Sequence, residues 1–332
     1  MLKVLLSEED VVLRVMKYLS ERSFGECLGP GDDARDIVPR SHKLIVSIDG
    51  YSVESAKLPW RDLSDVGWCS VTSAVSDIVS KGGFPHGVLV SIGIPRSWSL
   101  SDIDELYRGI FEACSFYNCR LLGGDTNSAA EAWISVAAIG FTSNAYPPSR
   151  SGALDGDSLI VTGTYGPQGV VAIDGFRVSS ELKWVVEATK RPKAVIDVAT
   201  VISRWSKAIH ASMDVSDGLS YTLYTMSISS GKCIELSDLP LYVKELEEHC
   251  NMNTECIAER VLNGGEEYGV AIAIDSRHLT KVLKEMEAMK IPFRVVGTVR
   301  NCDKPKVTYK GMPIKVKRWD QFYGWKDSED NY

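Results

Sequence analysis

Acidic residues recur beside glycine or serine, at the ends of apolar segments, along most of this 332-residue chain. The first segments are GDDARDI at 31–37, SID at 47–49 and GGDTN at 123–127, and the later ones are DVSDGLS at 214–220 and NGGEEYG at 263–269. Strand ends and tight turns are places from which a fold can direct several side chains at one point. If these carboxylates converge, they must hold cations, because like charges in one site otherwise raise each other's pKa. Mg²⁺ is the cation expected, since it takes oxygen ligands and shares them with substrate phosphates.

The charge and hydropathy of the chain favour a small-molecule partner. The formal net charge of −7 argues against binding to nucleic acids or to anionic membranes, because those surfaces require clustered Lys and Arg. No stretch approaches the roughly 20 apolar residues of a membrane span. The first residues predict a helix rather than a signal peptide, with Ser7 and Asp10 as a capping pair. These features predict a cytoplasmic protein.

Eight cysteines occur without any CxxC pair, at positions 27, 69, 114, 119, 233, 250, 256 and 302. This spacing is typical neither of a zinc site nor of a compact disulfide framework. We therefore interpret them mostly as buried thiols, with disulfides as the alternative in a heat-adapted organism.

The order of apolar and helical segments predicts two α+β domains. Strand-like runs such as HGVLVSIGI and AWISVAAIGF alternate with helical stretches around 64–82 and 100–118. A segment rich in Pro, Ser and Gly then interrupts the pattern, and a second set of strands begins at SLIVTGTYG. The predicted domains are 1–145, with a metal and ATP site and a dimer interface, and 146–332, which completes the nucleotide and substrate site.

Several phosphate-binding signatures are missing from the sequence. It has no GxxxxGK[ST] loop, no GxGxxG turn and no protein-kinase motifs. None of the five histidines falls within an acidic segment, so no general base is predicted. A phosphate monoester would suit such a site as acceptor, because its second pKa near 6 leaves a nucleophilic anion at neutral pH. Catalysis would then come from charge neutralisation by metals and not from a catalytic side chain.

In order along the chain, GDDA, SID, SD with KGGFP, LLGGDT, SRSGALDGDSLIVTGTYG, DVSDGL, GGEEYG and RWDQF resemble the motifs of the thiamine-monophosphate kinases. That family belongs to the aminoimidazole ribonucleotide synthetase-like superfamily. The resemblance implies a homodimer whose amino-terminal sheets pair into a barrel, with ATP and several Mg²⁺ ions bound in a cleft beside it. It also implies phosphorylation of thiamine monophosphate to thiamine diphosphate by ATP.

The resemblance assigns roles to individual residues by position. The implied metal ligands are Asp33, Ser47, Asp49, Asp77, Asp125, Asp214 and Asp217. The implied ATP contacts are Gly124, Asp125, Arg150 and Ser216, and the implied substrate contacts are Glu266 and Trp319.

The sequence departs from the family pattern at positions on the acceptor side. The segment GYSVESAKLPW lacks the usual His, and Ile48, Ala74, Glu267 and Gln321 replace a hydroxyl residue, Asn, Asp and His. Two alternatives therefore stay open. One is a ligase-like relative that activates a carbonyl or amide oxygen with ATP, and the other is a nucleotide-sensing dimer without turnover.

Overall fold

The computed structural model describes residues 8–30, 34–41, 43–320 and 324–327. The chain divides into two compact units. The first runs to residue 78 and resumes over 84–143, and the second contains 79–83 and continues from residue 144. The sequence-based boundary lay near 146.

The first unit is a four-stranded sheet with helices. Its elements are α1 (Glu8–Met16), β1 (Lys43–Ser52), α2 (Val53–Ala56), α3 (Leu63–Ser80, which extends into 79–83), β2 (Phe84–Pro95), α4 (Leu100–Phe116), β3 (Arg120–Ala129) and β4 (Trp133–Thr142). The strand order is β1-β4-β2-β3, in which β2 and β3 are parallel and the other neighbours are antiparallel. Strands β1 and β3 are therefore the two edges of the sheet.

Apolar residues alternate along the strands, so the two faces of this sheet differ. Val88, Val90 and Ile92 of β2 are fully buried or nearly so, as expected of alternate residues on a core face. Along the edge strand β1, however, Leu44, Val46 and Ile48 are 53%, 66% and 70% exposed. A long apolar edge strand of this kind invites pairing with another chain.

The second unit is a seven-stranded sheet with helices and a terminal hairpin. Its elements are β5 (Ser158–Thr162), α5 (Pro167–Glu181), α6 (Lys183–Lys190), α7 (Val198–Arg204), β6 (Ile209–Asp214), α8 (Leu219–Ser230), β7 (Cys233–Leu236), α9 (Glu245–His249), α10 (Thr254–Leu262), β8 (Val270–Ile274), α11 (Leu279–Ala288), β9 (Phe293–Arg300), β10 (Val307–Tyr309), β11 (Met312–Pro313), β12 (Lys317–Asp320) and β13 (Gly324–Asp327). The large sheet has the order β11-β10-β7-β9-β5-β8-β6, and β12 pairs with β13. The central strands β5 and β8 are buried at every residue, which explains their uninterrupted apolar sequences.

These two mixed units confirm the predicted α+β fold class. The predicted amino-terminal helix is present as α1, although its expected cap Ser7 lies outside the described residues. Within the described ranges, no helix combines the length and apolar character that crossing a membrane requires.

The interpretation of the cysteines as mostly buried thiols is wrong, because only three of the eight are buried thiols. Cys233 is bonded to Cys302 and Cys250 to Cys256, whereas Cys69, Cys114 and Cys119 are buried thiols and Cys27 is an exposed one. The spacing could not reveal these pairs, because the strands and helices of the second unit bring the cysteines together.

The Cys250–Cys256 bond joins the end of α9 to the first turn of α10. We expect a Cys250→Ser/Cys256→Ser variant to lose roughly 2 kcal/mol of unfolding free energy, because a closed loop of this length removes that much chain entropy from the unfolded state. Thermal denaturation measures the loss, and a Cys27→Ser variant is the control that should melt like the original protein. Titration of the denatured, unreduced protein should find four free thiols, and eight would contradict the prediction.

Candidate functional site

In the first unit, the predicted ligands of β1 and α3 lie together. The Ser47 hydroxyl donates a hydrogen bond to the Asp77 carboxylate, which joins the edge strand to the helix. Asp49 lies two residues further along β1, and its Oδ1 accepts a bond of 2.8 Å from the Gly50 amide. The side chains of all three residues are partly accessible. They form a set of hydroxyl and carboxylate oxygens, the donors that Mg²⁺ prefers.

Gly124 and Asp125 lie on β3, at the opposite edge of the same sheet. Asp49, Val136, Val90 and Gly124 form one cross-strand row. Three strand spacings of about 4.8 Å therefore separate the two edges by roughly 14 Å. One sheet thus keeps Asp125 well away from Ser47, Asp49 and Asp77.

Gly124 is required by its contacts. A Cβ built at this position would lie 1.8 Å from the carbonyl oxygen of Val90, which is a backbone atom that cannot move aside. Beside it, the exposed Asp125 carboxylate accepts a 2.6 Å hydrogen bond from Asn127 Nδ2. The close contact between β3 and β2 therefore explains why position 124 is a glycine. The carboxylate of Asp125, the next residue, stays accessible to solvent.

A cavity of about 790 Å³ adjoins Gly124 and Asp125. Helix α1 contributes Val12 and Met16 to its walls, and the following segment contributes Arg35. The volume is within the range of small-molecule sites, and its mainly apolar walls with a few polar groups are typical of them.

A buried ion cluster anchors the segment that carries the GDDA motif. Glu26 lies between Arg120, whose Nη1 is 2.5 Å from Glu26 Oε1, and Arg35, at 3.9 Å. The hydrogen bond from Arg120 lowers the pKa of Glu26 to about 2. Arg35 also donates to the Ser20 and Leu122 carbonyl oxygens. The cluster fixes the chain on the carboxyl side of the motif, while the predicted ligand Asp33 lies outside the described residues.

In the second unit, the structure brings DVSDG and GGEEYG side by side. Asp214 ends β6, and Ser216 and Asp217 follow in the bend before α8. The Glu266 amide donates to the Ser216 carbonyl oxygen at 2.6 Å, and the Tyr268 amide donates to Val215 at 2.9 Å. The predicted ATP contact Ser216 and the predicted substrate contact Glu266 are therefore neighbours.

The backbone of this turn is strained on both sides of Glu267. Glu266 and Tyr268 have φ values of 53° and 47°, in the left-handed region that non-glycine residues rarely adopt. Such conformations cost on the order of 1–3 kcal/mol each and persist where the surroundings fix them, most often at functional sites.

The other predicted residues of the second unit lie near the same turn. The Ser212 amide of β6 donates to the Ser149 carbonyl oxygen at 3.1 Å, which places the exposed Arg150 beside that strand. Trp319 lies in β12, and its backbone pairs with Trp325. The first contact brings the segment with Arg150 to β6, which ends at Asp214, and the Lys317 amide at the start of β12 is bonded to Asn263, immediately before GGEEYG.

Sequence reasoning missed the residue that joins these segments. Asn263 is 2% exposed, and its Oδ1 accepts hydrogen bonds from Ser220 Oγ at 2.7 Å and from the Lys317 amide at 3.2 Å. It therefore connects the GGEEYG turn to α8 and to the start of β12. The only signal in the sequence was an Asn immediately before two glycines.

Glu267, a departure from the family pattern, caps helix α5. Its Oε1 accepts from the Gly166 amide at 2.9 Å and from the Gln168 amide at 3.3 Å. Burial raises the pKa of Glu267 to about 8, although these two amides favour the charged form.

The predicted ligands do not form one metal cluster in the described part of a single chain. No group of three or more His, Cys, Asp or Glu side chains in these ranges is arranged to hold a metal ion. The described residues instead give one set on β1 and α3, Asp125 on β3, and Asp214 with Asp217 in the second unit.

Comparison with known families accounts for both units. The AIR synthase related protein N-terminal domain family matches residues 31–142, and the corresponding C-terminal domain family matches 155–310. A thiamine-monophosphate kinase from Nitrosopumilus maritimus is 31% identical over 278 residues, which are 81% of this chain and 86% of that protein. This chain belongs to the thiamine-monophosphate kinase family. Its relative from Aquifex aeolicus is 31% identical over 88% of this chain and 92% of its own length.

A solved member of the thiamine-monophosphate kinase family has a similar fold. The structure described as AaThiL complexed with AMPPCP and TMP shares 28% identity with this chain, covers 87% of it and 90% of its own chain, and has a TM-score of 0.71. The resemblance first recognised from the motif series is thereby confirmed. The roles of individual residues stay predictions.

Proposed function

We propose that this protein transfers the γ-phosphoryl group of ATP to the phosphate of thiamine monophosphate, producing thiamine diphosphate and ADP. The observation that carries this proposal is the family relation, together with a relative that binds both AMPPCP and TMP. The neighbouring DVSDG and GGEEYG turns support it, because they place a predicted nucleotide contact beside a predicted acceptor contact.

None of the five histidines lies within one of the acidic segments, which fits a reaction that needs no general base. His210 lies 2.9 Å from Asp157, and His249 lies 2.9 Å from Asp174. His86 is 5% exposed, and burial lowers its pKa. A phosphate monoester already offers an anionic oxygen at neutral pH, so no proton has to be removed before it attacks.

The oxygen donors fit Mg²⁺. Ser47, Asp49 and Asp77 would hold ions on one edge of the sheet, and Asp125 would do so on the other. Asp214 and Asp217 are the candidates of the second unit, and Asp33 is one from the sequence alone. These residues would hold Mg²⁺, which would supply neutralisation of the phosphate charge. The protein residues would bind and orient the triphosphate of ATP and the single phosphate of the acceptor.

A homodimer would complete the site. The predicted ligands of β1 and β3 lie at opposite edges of one sheet, roughly 14 Å apart across three strand spacings. In the proposed dimer, two such sheets pair into a closed barrel with β1 of one chain beside β3 of its partner. This pairing also covers the exposed Leu44, Val46 and Ile48. Each active site is then built from both chains.

The products of a single incubation test the reaction. With ATP, Mg²⁺ and thiamine monophosphate, we expect equal amounts of thiamine diphosphate and ADP, and no release of inorganic phosphate. Free thiamine in place of its monophosphate should give no product, because its alcohol would need a general base. Release of inorganic phosphate would indicate the ligase-like alternative, and efficient phosphorylation of free thiamine would refute the phosphate-acceptor mechanism. No turnover with any acceptor would favour the nucleotide-sensing alternative.

A further inference from the structure

The side chain of Gln168 connects the start of helix α5 to the predicted acceptor contact Glu266. Its Nε2 donates a 3.1 Å hydrogen bond to Glu266 Oε2, and the residue is only 7% exposed. The Gln168 backbone amide is itself held by Glu267 Oε1, at 3.3 Å. Gln168 is thus fixed at its backbone and directs its amide group at one oxygen of Glu266.

Close packing keeps this arrangement in place. A Cβ at Gly264 would lie 2.4 Å from the Gly169 amide nitrogen and 2.9 Å from the Gln168 carbonyl carbon, so the turn and the helix are in direct contact. On the other side of the turn, the Glu266 amide is bound to Ser216 at 2.6 Å. The strained backbone of Glu266 is therefore held from both sides, which restricts the direction of its carboxylate.

We propose that Gln168 is a positioning and specificity-determining residue, whose amide holds the Glu266 carboxylate toward a cationic ring of the acceptor. This inference rests on the proposed function. An amide suits the task because it is neutral: it donates a hydrogen bond to the carboxylate without cancelling its negative charge. A lysine or arginine here would form an ion pair and remove the attraction for a cation.

The acceptor class follows from the charge of this site. A thiazolium ring carries a fixed positive charge. A half-buried carboxylate attracts this charge more strongly than a fully hydrated carboxylate does, because the effective dielectric constant around it is lower. The Gln168–Glu266 pair therefore discriminates between cationic acceptors and uncharged ones of similar size. The hydrogen bonds of Gln168 go to Glu266 and Glu267, and neither is a predicted ATP contact or metal ligand, so Gln168 should act on acceptor binding and leave the chemical step unchanged.

The experiment is a double-mutant cycle measured by steady-state kinetics. Gln168→Met preserves the length of the side chain and removes its donors, and we expect the KM for thiamine monophosphate to rise about tenfold. The KM for ATP and kcat should stay within twofold. In a Glu266→Gln background, adding Gln168→Met should raise the KM by less than twofold, because there is no charged carboxylate left to position.

The controls separate positioning from stability. Asn253 is the N-cap of α10, so Asn253→Ala also removes a side-chain amide at the start of a helix. This variant should lower the melting temperature without changing the KM for either substrate. Gln168→Leu, which also removes the donors and adds no charge, is the second variant if the Met variant does not fold, and its KM for thiamine monophosphate should rise to a similar extent.

Two kinetic results would overturn the inference: an unchanged KM in a folded Gln168→Met protein, or equal effects of this change with and without Glu266. The original protein is assayed first. If it forms no thiamine diphosphate, the proposed function itself is wrong and the inference is wrong with it. If it does form product, only the kinetic comparison decides the role of Gln168.

Discussion

The Asp77→Asn variant should lose at least about 100-fold in kcat, because a metal ligand that neutralises phosphate charge is worth several kcal/mol in the transition state. The substitution keeps the shape of the side chain, and its oxygen still accepts the bond from Ser47. The melting temperature without metal should hold or rise, since one of several like charges is removed. Steady-state assays over a range of Mg²⁺ concentrations, with calorimetry in chelator, measure both effects.

The matched control lies on the same helix. Asp65 is 1% exposed, and its carboxylate accepts the Asp62 amide at 3.1 Å near the start of α3. Asp65→Asn changes the charge of α3 by the same amount. It should lower the melting temperature and leave kcat unchanged. If Asp77→Asn retains near-normal turnover and an unchanged requirement for Mg²⁺, then Asp77 is not a metal ligand.

Much of the fold could be predicted from local patterns. Apolar strand-like runs identified β2 and β4, and the apolar residues of β5 and β8 agree with the central positions of these strands. Acidic residues at segment ends were located correctly as well: Asp214 is the last residue of β6, and Glu266 lies in a tight turn. These features depend on residues close together in the sequence, which is why the sequence reveals them.

The arrangement of the site depends on topology and could not be predicted in this way. The sequence suggested one cluster of carboxylates, but the strand order places Asp49 and Asp125 on opposite edges. The contact between Gln168 and Glu266 spans 98 residues, and that between Asn263 and the Lys317 amide spans 54. Gln168 lies outside the acidic segments, and Asn263, although it begins NGGEEYG, was assigned no role. Their contacts form only when α5, α8 and β12 pack against the GGEEYG turn in the folded chain.

Mixed dimers should recover activity that neither parent has, and this follows from the opposite positions of β1 and β3. Asp49→Asn and Asp125→Asn proteins are each expected to be nearly inactive. If every site takes Asp49 from one chain and Asp125 from the other, a heterodimer of the two variants has one site with both substitutions and one with neither. Its activity should be about half that of the original dimer. Differently tagged chains, co-expressed and purified through both tags, provide the heterodimer for this assay.

A second pair of variants makes the mixed-dimer result specific to the strand order. Asp49 and Asp77 both lie on the β1 side of one chain, where Ser47 joins the strand to α3. A heterodimer of Asp49→Asn and Asp77→Asn chains therefore carries one substitution in each site and should stay inactive.

Recovery of activity in the first pair but not in the second would establish that the site is shared across the two edges. An inactive Asp49/Asp125 heterodimer would place both residues of each site in one chain, and a stable, active monomer in light scattering would exclude the shared barrel altogether. The comparison is informative because the four-stranded sheet, with β1 and β3 as its edges, is the feature that decides which residues can meet.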